Sequence, residues 1–239
     1  MATLISALVE QARKPLLETA EVTGGFWTDA ELVEIANRGI KDLWRAINNQ
    51  YQDYFLTIDD TNVTLAANGT SLSGVPSDVS VVRGLEQKDL STYPSLFFEF
   101  CKWNDARFQS ARAADAFDPS LGGTVLWCVL GAGAPVAAPT IRVAPAVSTA
   151  LTMRLSYIPT VPTVALIDDN PIPGESDQAL VNWIVAHALA KDTEGQMPNV
   201  AWLAMYKTEK ENILVSLAPR QQDTEQVVED IFAPFTNGW

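Results

Sequence analysis

Few residues in the sequence are equipped to do chemistry. One histidine, His187, would have to serve any Ser–His–Asp or Cys–His arrangement. A single imidazole also leaves too few nitrogen ligands for the commoner catalytic zinc sites. His187 follows Trp183 at helical spacing in an apolar stretch, which favours a core or interface histidine. The acid pairs Asp59-Asp60 and Asp168-Asp169 adjoin turns. Paired acids can bind calcium or cleave glycosides, but their spacing is not that of an EF-hand loop, and solvated turn acids account for them. Gly131-Ala132-Gly133-Ala134-Pro135 lacks the Lys and Ser/Thr of a phosphate loop and opens no helix, so it reads as a flexible turn. Cys101 and Cys128 lie far apart and suggest neither a disulfide framework, a zinc site nor a redox pair. The sequence carries no catalytic signature and calls for no metal or cofactor.

Composition narrows the classes further. The 239 residues include 29 acidic and 16 basic side chains, for a net charge of −13. That balance argues against a basic groove that grips phosphates. Apolar residues make up 47% and charged residues 19%, below the roughly 25% of typical soluble chains. Such a chain folds, and either hides extra surface against other subunits or fills its own core unusually well; seven Trp suit both. Met1-Ala2-Thr3-Leu4-Ile5 has no basic leader and no long apolar run, so no secretory signal is expected. Residues 119–141 carry no charge and are long enough to span a bilayer. Gly122, Gly123, Gly131, Gly133, Pro135 and Pro139 divide that stretch into strand, turn and strand, which predicts soluble β structure and no membrane anchor.

The elements that hold these residues follow from periodicity. Leu4, Ile5, Leu8, Val9, Ala12 and Leu16 form a helical stripe over residues 3–21, interrupted at Pro15. Thr28 and Glu31 make a capping box for a second helix, whose apolar face runs from Leu32 through Gly39 to Ile47. Short strands are expected at 54–59, 62–65, 79–85, 124–130, 140–143 and 151–158, with a hairpin turn at Asn68-Gly69 and a helix over 98–114. Pro159, Pro162, Pro171 and Pro173 mark an extended linker. Helices return from Ser176 or Asp177 to Lys191 and over 200–217; Pro219 is expected to stop the latter, with Thr224 capping a short last piece. The reading is an α+β fold: a helical bundle from the N- and C-terminal helices with an inserted antiparallel β region. Its parts are residues 1–50, the β-rich insertion 51–165, the returning helices 166–218 and a tail 219–239.

That tail carries Ile231, Phe232, Phe235 and Trp239 on a negatively charged segment. Large apolar groups at a terminus either fold back on their own domain or order against a partner. The negative charge disfavours a membrane-surface helix.

The layout resembles a known family. Phe26-Trp27-Thr28-Asp29-Ala30-Glu31-Leu32 running to Leu43-Trp44 is similar to the early helix of head-to-tail adaptor (connector, head-completion) proteins of tailed bacteriophages. So are Leu155-Ser156-Tyr157-Ile158-Pro159-Thr160-Val161-Pro162, the linker Pro171-Ile172-Pro173, and the two helices that follow, the second with Tyr206, Lys207 and Glu211. The resemblance implies a structural virion protein rather than an enzyme. It implies a homo-oligomeric ring, often dodecameric, at the head–tail junction beneath the portal protein, in contact with tail or nozzle proteins and assembled in the host cytoplasm. It further implies that genomic DNA passes through the ring without specific binding. Ile231, Phe232, Phe235 and Trp239 would then dock on the portal. The long β region leaves a different class open: a virion accessory or baseplate module binding a glycan or protein, with Trp103 or Trp127 as its platform.

Overall fold

The computed structural model describes residues 3–16, 26–89, 91–131, 138–172, 174–192 and 197–232, with the backbone alone for 192 and 218–232. Helices α1 (Ile5–Arg13) and α2 (Asp29–Gln50) come first. The strands β1 (Thr57–Asp59), β2 (Thr64–Leu65), β3 (Leu72–Ser73), β4 (Val79–Gln87) and β5 (Leu96–Phe100) follow. Helix α3 (Ala106–Arg112) precedes β6 (Gly123–Leu130), β7 (Thr140–Ala144) and β8 (Leu151–Pro159). The chain then returns to helix in α4 (Asp177–Asp192) and α5 (Val200–Phe232). It divides into two compact units, Met1–Gln52 with Val161–Trp239, and Asp53–Thr160. The fold is α+β, with the β-rich unit inserted between the two halves of the helical one.

In the helical unit α4 packs against α1, α2 and α5. A helix surrounded in this way is apolar around most of its circumference, and Ala179, Leu180, Val181, Ile184, Val185, Ala186 and Ala188 are all buried. The α2 start matches its sequence signature: Thr28 Oγ1 accepts from Glu31 N, and Glu31 Oε2 accepts from Thr28 N. The proline-rich passage is extended but not a free linker. Val164 is held to α2 by both groups of the Asn37 amide, at 3.0 and 2.9 Å. The Asp168 and Leu166 carbonyls accept from Ile5 N and Ser6 N, two donors that the first turn of α1 leaves unpaired.

In the β-rich unit β8 is the hub. It pairs antiparallel with β4 from Met153 to Pro159, with β1 from Leu155 to Tyr157, and with β2 at Thr152 and Leu151. Residues Leu151, Met153, Leu155 and Tyr157 alternate inward, as their spacing predicts. A second sheet joins β5, β6 and β7, and here β5 and β6 run parallel, whereas the other named strand pairs are antiparallel. The two sheets share one core that includes Leu65, Leu85, Val125, Trp127, Val143, Met153 and Leu155. The other face of β6 is covered by α3 through Phe108, packed with Leu126, Cys128, Cys101 and Ala144. Burial on both faces explains the uncharged stretch: Val125-Leu126-Trp127-Cys128 is continuously buried strand.

Three expectations need correction. The helix expected over 98–114 is shorter; its first residues belong to β5, and Asp105 caps α3 by accepting from Arg107 N at 2.8 Å. Leu-Phe-Phe-Glu-Phe is apolar with either period, and pairing with β6 decides it. Pro219 does not end α5, whose backbone stays helical to Phe232. A proline costs one backbone bond and some crowding, which a helix can absorb within its length. No new helix therefore starts at Thr224.

Candidate assembly surfaces

The helical unit is tied together by polar contacts between distant segments. Trp27 Nε1 donates to the Ala188 carbonyl at 2.9 Å, and Lys191 Nζ reaches the Phe26 carbonyl at 2.8 Å and Glu31 Oε1 at 2.7 Å. These contacts join the start of α2 to the end of α4. Arg13 donates to the Trp27 carbonyl at 3.2 Å and to Asp29 Oδ1 at 2.5 Å, adding α1 to the same corner. Asp42 of α2 accepts from Tyr206 and Lys210 of α5 at 2.5 and 2.7 Å. Asn170, almost fully buried, accepts from Ile172 N and donates to Ser176 Oγ and Asp177 Oδ1, which fixes the entry to α4. Asn37 and Asn170 have no sequence signature that marks them. Asn199, which accepts from Ala201 N and Trp202 N as the cap of α5, does have one in its place before the helical run.

Among the described side chains of α5, residues 200–217, one set is anchored and another is exposed. Tyr206, Ile213 and Leu217 are buried, while Val200, Met205 and Val215 are exposed apolar side chains. The backbone of α5 carries Ile231 and Phe232 in its last turn. Phe235 and Trp239, and the side chains of Ile231 and Phe232, lie outside the described residues.

The remaining candidates have structural partners. His187 stacks on Trp183 with ring centroids 3.9 Å apart, and its Nδ1 lies 3.0 Å from the Trp183 carbonyl. Asp59 accepts from Thr61 N and Asn62 N, and these bonds, with Thr61 the strongest, hold its carboxyl below the ordinary range against the opposing effect of burial. Asp168 Oδ2 accepts from Ala165 N at 2.7 Å. Both are turn-forming acids. Gly131 has φ +72, and the rest of its glycine-rich run lies outside the described residues. Trp127 is 3% exposed and belongs to the core. Trp103 is partly exposed, but the Arg112 guanidinium lies over its ring at 4.5 Å and Phe108 packs beside it. Among the described residues no group of three or more His, Cys, Asp or Glu could hold a metal ion, and no helix is long and apolar enough to cross a membrane.

No curated individual protein matches the chain. A family match does exist. The sequence fits the SU10 adaptor protein family over residues 3–229, from the start of the helical unit through both sheets and well into the last helix. Coverage of that extent includes both units rather than a shared motif, in keeping with the resemblance carried by the capped α2 and the passage after β8. The chain belongs to the SU10 adaptor protein family and is a phage adaptor protein.

Proposed function

We propose that this adaptor forms a homo-oligomeric ring, with a dodecamer as the expected size, beneath the portal of a tailed phage. In that place it joins the DNA-filled head to the tail, meets tail or nozzle proteins on its far side, and prolongs the channel through which the genome leaves. The observation that carries this reading is the family match over residues 3–229. Charge agrees with it: a chain with a net charge of −13 lets DNA slide rather than stick. The apolar side chains that α5 leaves outward at Val200, Met205 and Val215 suit contacts between neighbouring subunits. The role is structural and non-enzymatic. The division of labour follows the sequence reading: residues 1–50 and 166–218 form the bundle, residues 51–165 the insertion, and residues 219–239 the docking tail. In this scheme Ile231, Phe232, Phe235 and Trp239 bind the portal after assembly in the host cytoplasm.

Two experiments test the proposal. Inactivating the gene and imaging the lysate by electron microscopy is expected to give tailless heads that lose their DNA. Complete particles that fail only to adsorb would instead support a receptor-binding role for the β-rich unit. Deleting residues 220–239 is expected to abolish portal binding while the circular dichroism of the remaining chain keeps its shape. Portal binding that survives the deletion rules out the docking tail.

A further inference from the structure

Cys101 and Cys128 are distant in sequence but adjacent in the β-rich unit. β5 and β6 run parallel, with Glu99 opposite Leu126 and Phe100 opposite Trp127. One residue further on, Cys101 N donates to the Trp127 carbonyl at 2.9 Å. In a parallel ladder that bond belongs to a residue whose partner is the next one, Cys128. Partners in register point to the same face of a sheet. The two side chains accordingly share one buried cluster with Phe108, Leu126 and Ala144. The Cys101 thiol is also aimed at β6, since its Sγ donates to the Trp127 carbonyl oxygen at 3.6 Å. Paired strands stand about 4.8 Å apart, within the roughly 4.4–6.8 Å between Cα atoms that a disulfide bridges. Both thiols are free.

We infer that Cys101 and Cys128 are a cross-strand oxidation site that closes to an intramolecular disulfide when the protein meets a peroxide. The Cys101 thiolate, at the end of the edge strand, attacks one peroxide oxygen; the O–O bond breaks and hydroxide leaves, giving a sulfenic acid. The Cys128 thiolate then attacks that sulfur, the S–O bond breaks, and a second hydroxide leaves as the S–S bond forms. The two thiol protons convert both hydroxides to water, so two thiols and one peroxide give one disulfide and two waters. Burial raises both thiols above their ordinary value; Asp105 adds to the effect at Cys101, and Cys101 itself at Cys128. The reaction therefore proceeds during openings of α3, whose Phe108 covers the pair. The product ties the edge strand β5 to β6, and it does not depend on the adaptor reading.

The test uses the full folded chain. It is held with hydrogen peroxide for long enough that the amides of α3 exchange with solvent, then quenched, denatured and alkylated. The expected result is joint loss of both alkylatable thiols, a mass lower by two hydrogens, and one linked peptide pair that dithiothreitol separates. In Cys128→Ser the reaction is expected to stop at a dimedone-reactive Cys101. Three results would overturn the inference in the wild-type chain: both thiols intact after α3 has exchanged, a sulfenic acid trapped at Cys101 beside a free Cys128, or chain-to-chain disulfides in place of the internal one.

Discussion

The indole of Trp183 occupies the space in which a side chain at Gly39 would stand. A Cβ added at Gly39 would lie 2.7 Å from Trp183 Cδ1 and 2.9 Å from Cγ, closer than packed carbon atoms come. The indole is fixed there by Nε1, which donates to the Ile35 carbonyl one turn earlier on α2 at 3.0 Å. His187 and Tyr206 flank it from α4 and α5. Gly39 therefore sets how closely α2 and α4 approach.

Gly39→Ala is expected to destabilise the helical unit even though alanine is the better helix former. Overpacking a filled core costs about 1–3 kcal/mol, against roughly 1 kcal/mol returned by helix propensity. Urea unfolding followed by Trp fluorescence should show a lower midpoint with an unchanged slope. An equal or higher midpoint would mean that Trp183 has room to move, and that the close contact does not determine the packing.

The contact between α2 and α5 makes stability depend on pH in two directions. Burial works to raise the Asp42 carboxyl, but hydrogen bonds from Lys210 and Tyr206 and the charges of Lys210 and Arg45 outweigh it and hold the group below its ordinary 3.8. A depressed carboxyl stabilises the fold above its unfolded value, and that contribution is lost as pH falls through the folded one. The Tyr206 hydroxyl is raised, first by burial and then by Asp42. Its contribution is complete below the ordinary tyrosine value of 10.0 and is lost as pH rises toward the higher folded one. Asp42→Asn should flatten the acid arm of a stability–pH profile, and Tyr206→Phe should flatten the alkaline arm. Profiles merely displaced, with both arms kept, would show that neither group is responsible.

What the sequence made legible was local. The capping box needs only Thr28 and Glu31, and the inward alternation of β8 needs only its own residues. Elements fixed by a distant partner were harder to read. β5 looked helical because Phe97, Phe98 and Phe100 satisfy either period, and only β6 chooses between them. Asn37 and Asn170 appear as ordinary polar residues, because the backbone groups they hold become neighbours only after folding. The same holds for Cys101 and Cys128, whose adjacency is a matter of strand register. Of the proposed docking residues, the sequence identifies terminal aromatics and the backbone places Ile231 and Phe232 at the end of a helix; a partner surface would define the rest.

Glu31 joins two roles that a single residue change can separate. One of its oxygens completes the capping box with Thr28 N, while the other accepts from Lys191 Nζ at the far end of α4. Together these hold its carboxyl down to about 2; the Lys191 hydrogen bond is the largest single influence, the Thr28 backbone N–H the next, and the Thr28 hydroxyl a lesser one. Lys191 also lies over the Phe26 ring at 4.9 Å, so its ammonium is kept in place by more than one contact. Thr28→Ala removes the acceptor for Glu31 N and should cost about 1 kcal/mol, the usual value of an N-cap. Lys191→Met keeps most of the side chain's apolar stem and the cap, but should move the Glu31 carboxyl further back toward its ordinary 4.5 than Thr28→Ala does, since the latter leaves the Thr28 N–H in place. Carboxyl-carbon NMR titration of the two variants distinguishes these effects. A larger rise in Thr28→Ala would show that Glu31 serves mainly the start of α2, and that the tie between α2 and α4 rests on Trp27 and the Ala188 carbonyl instead.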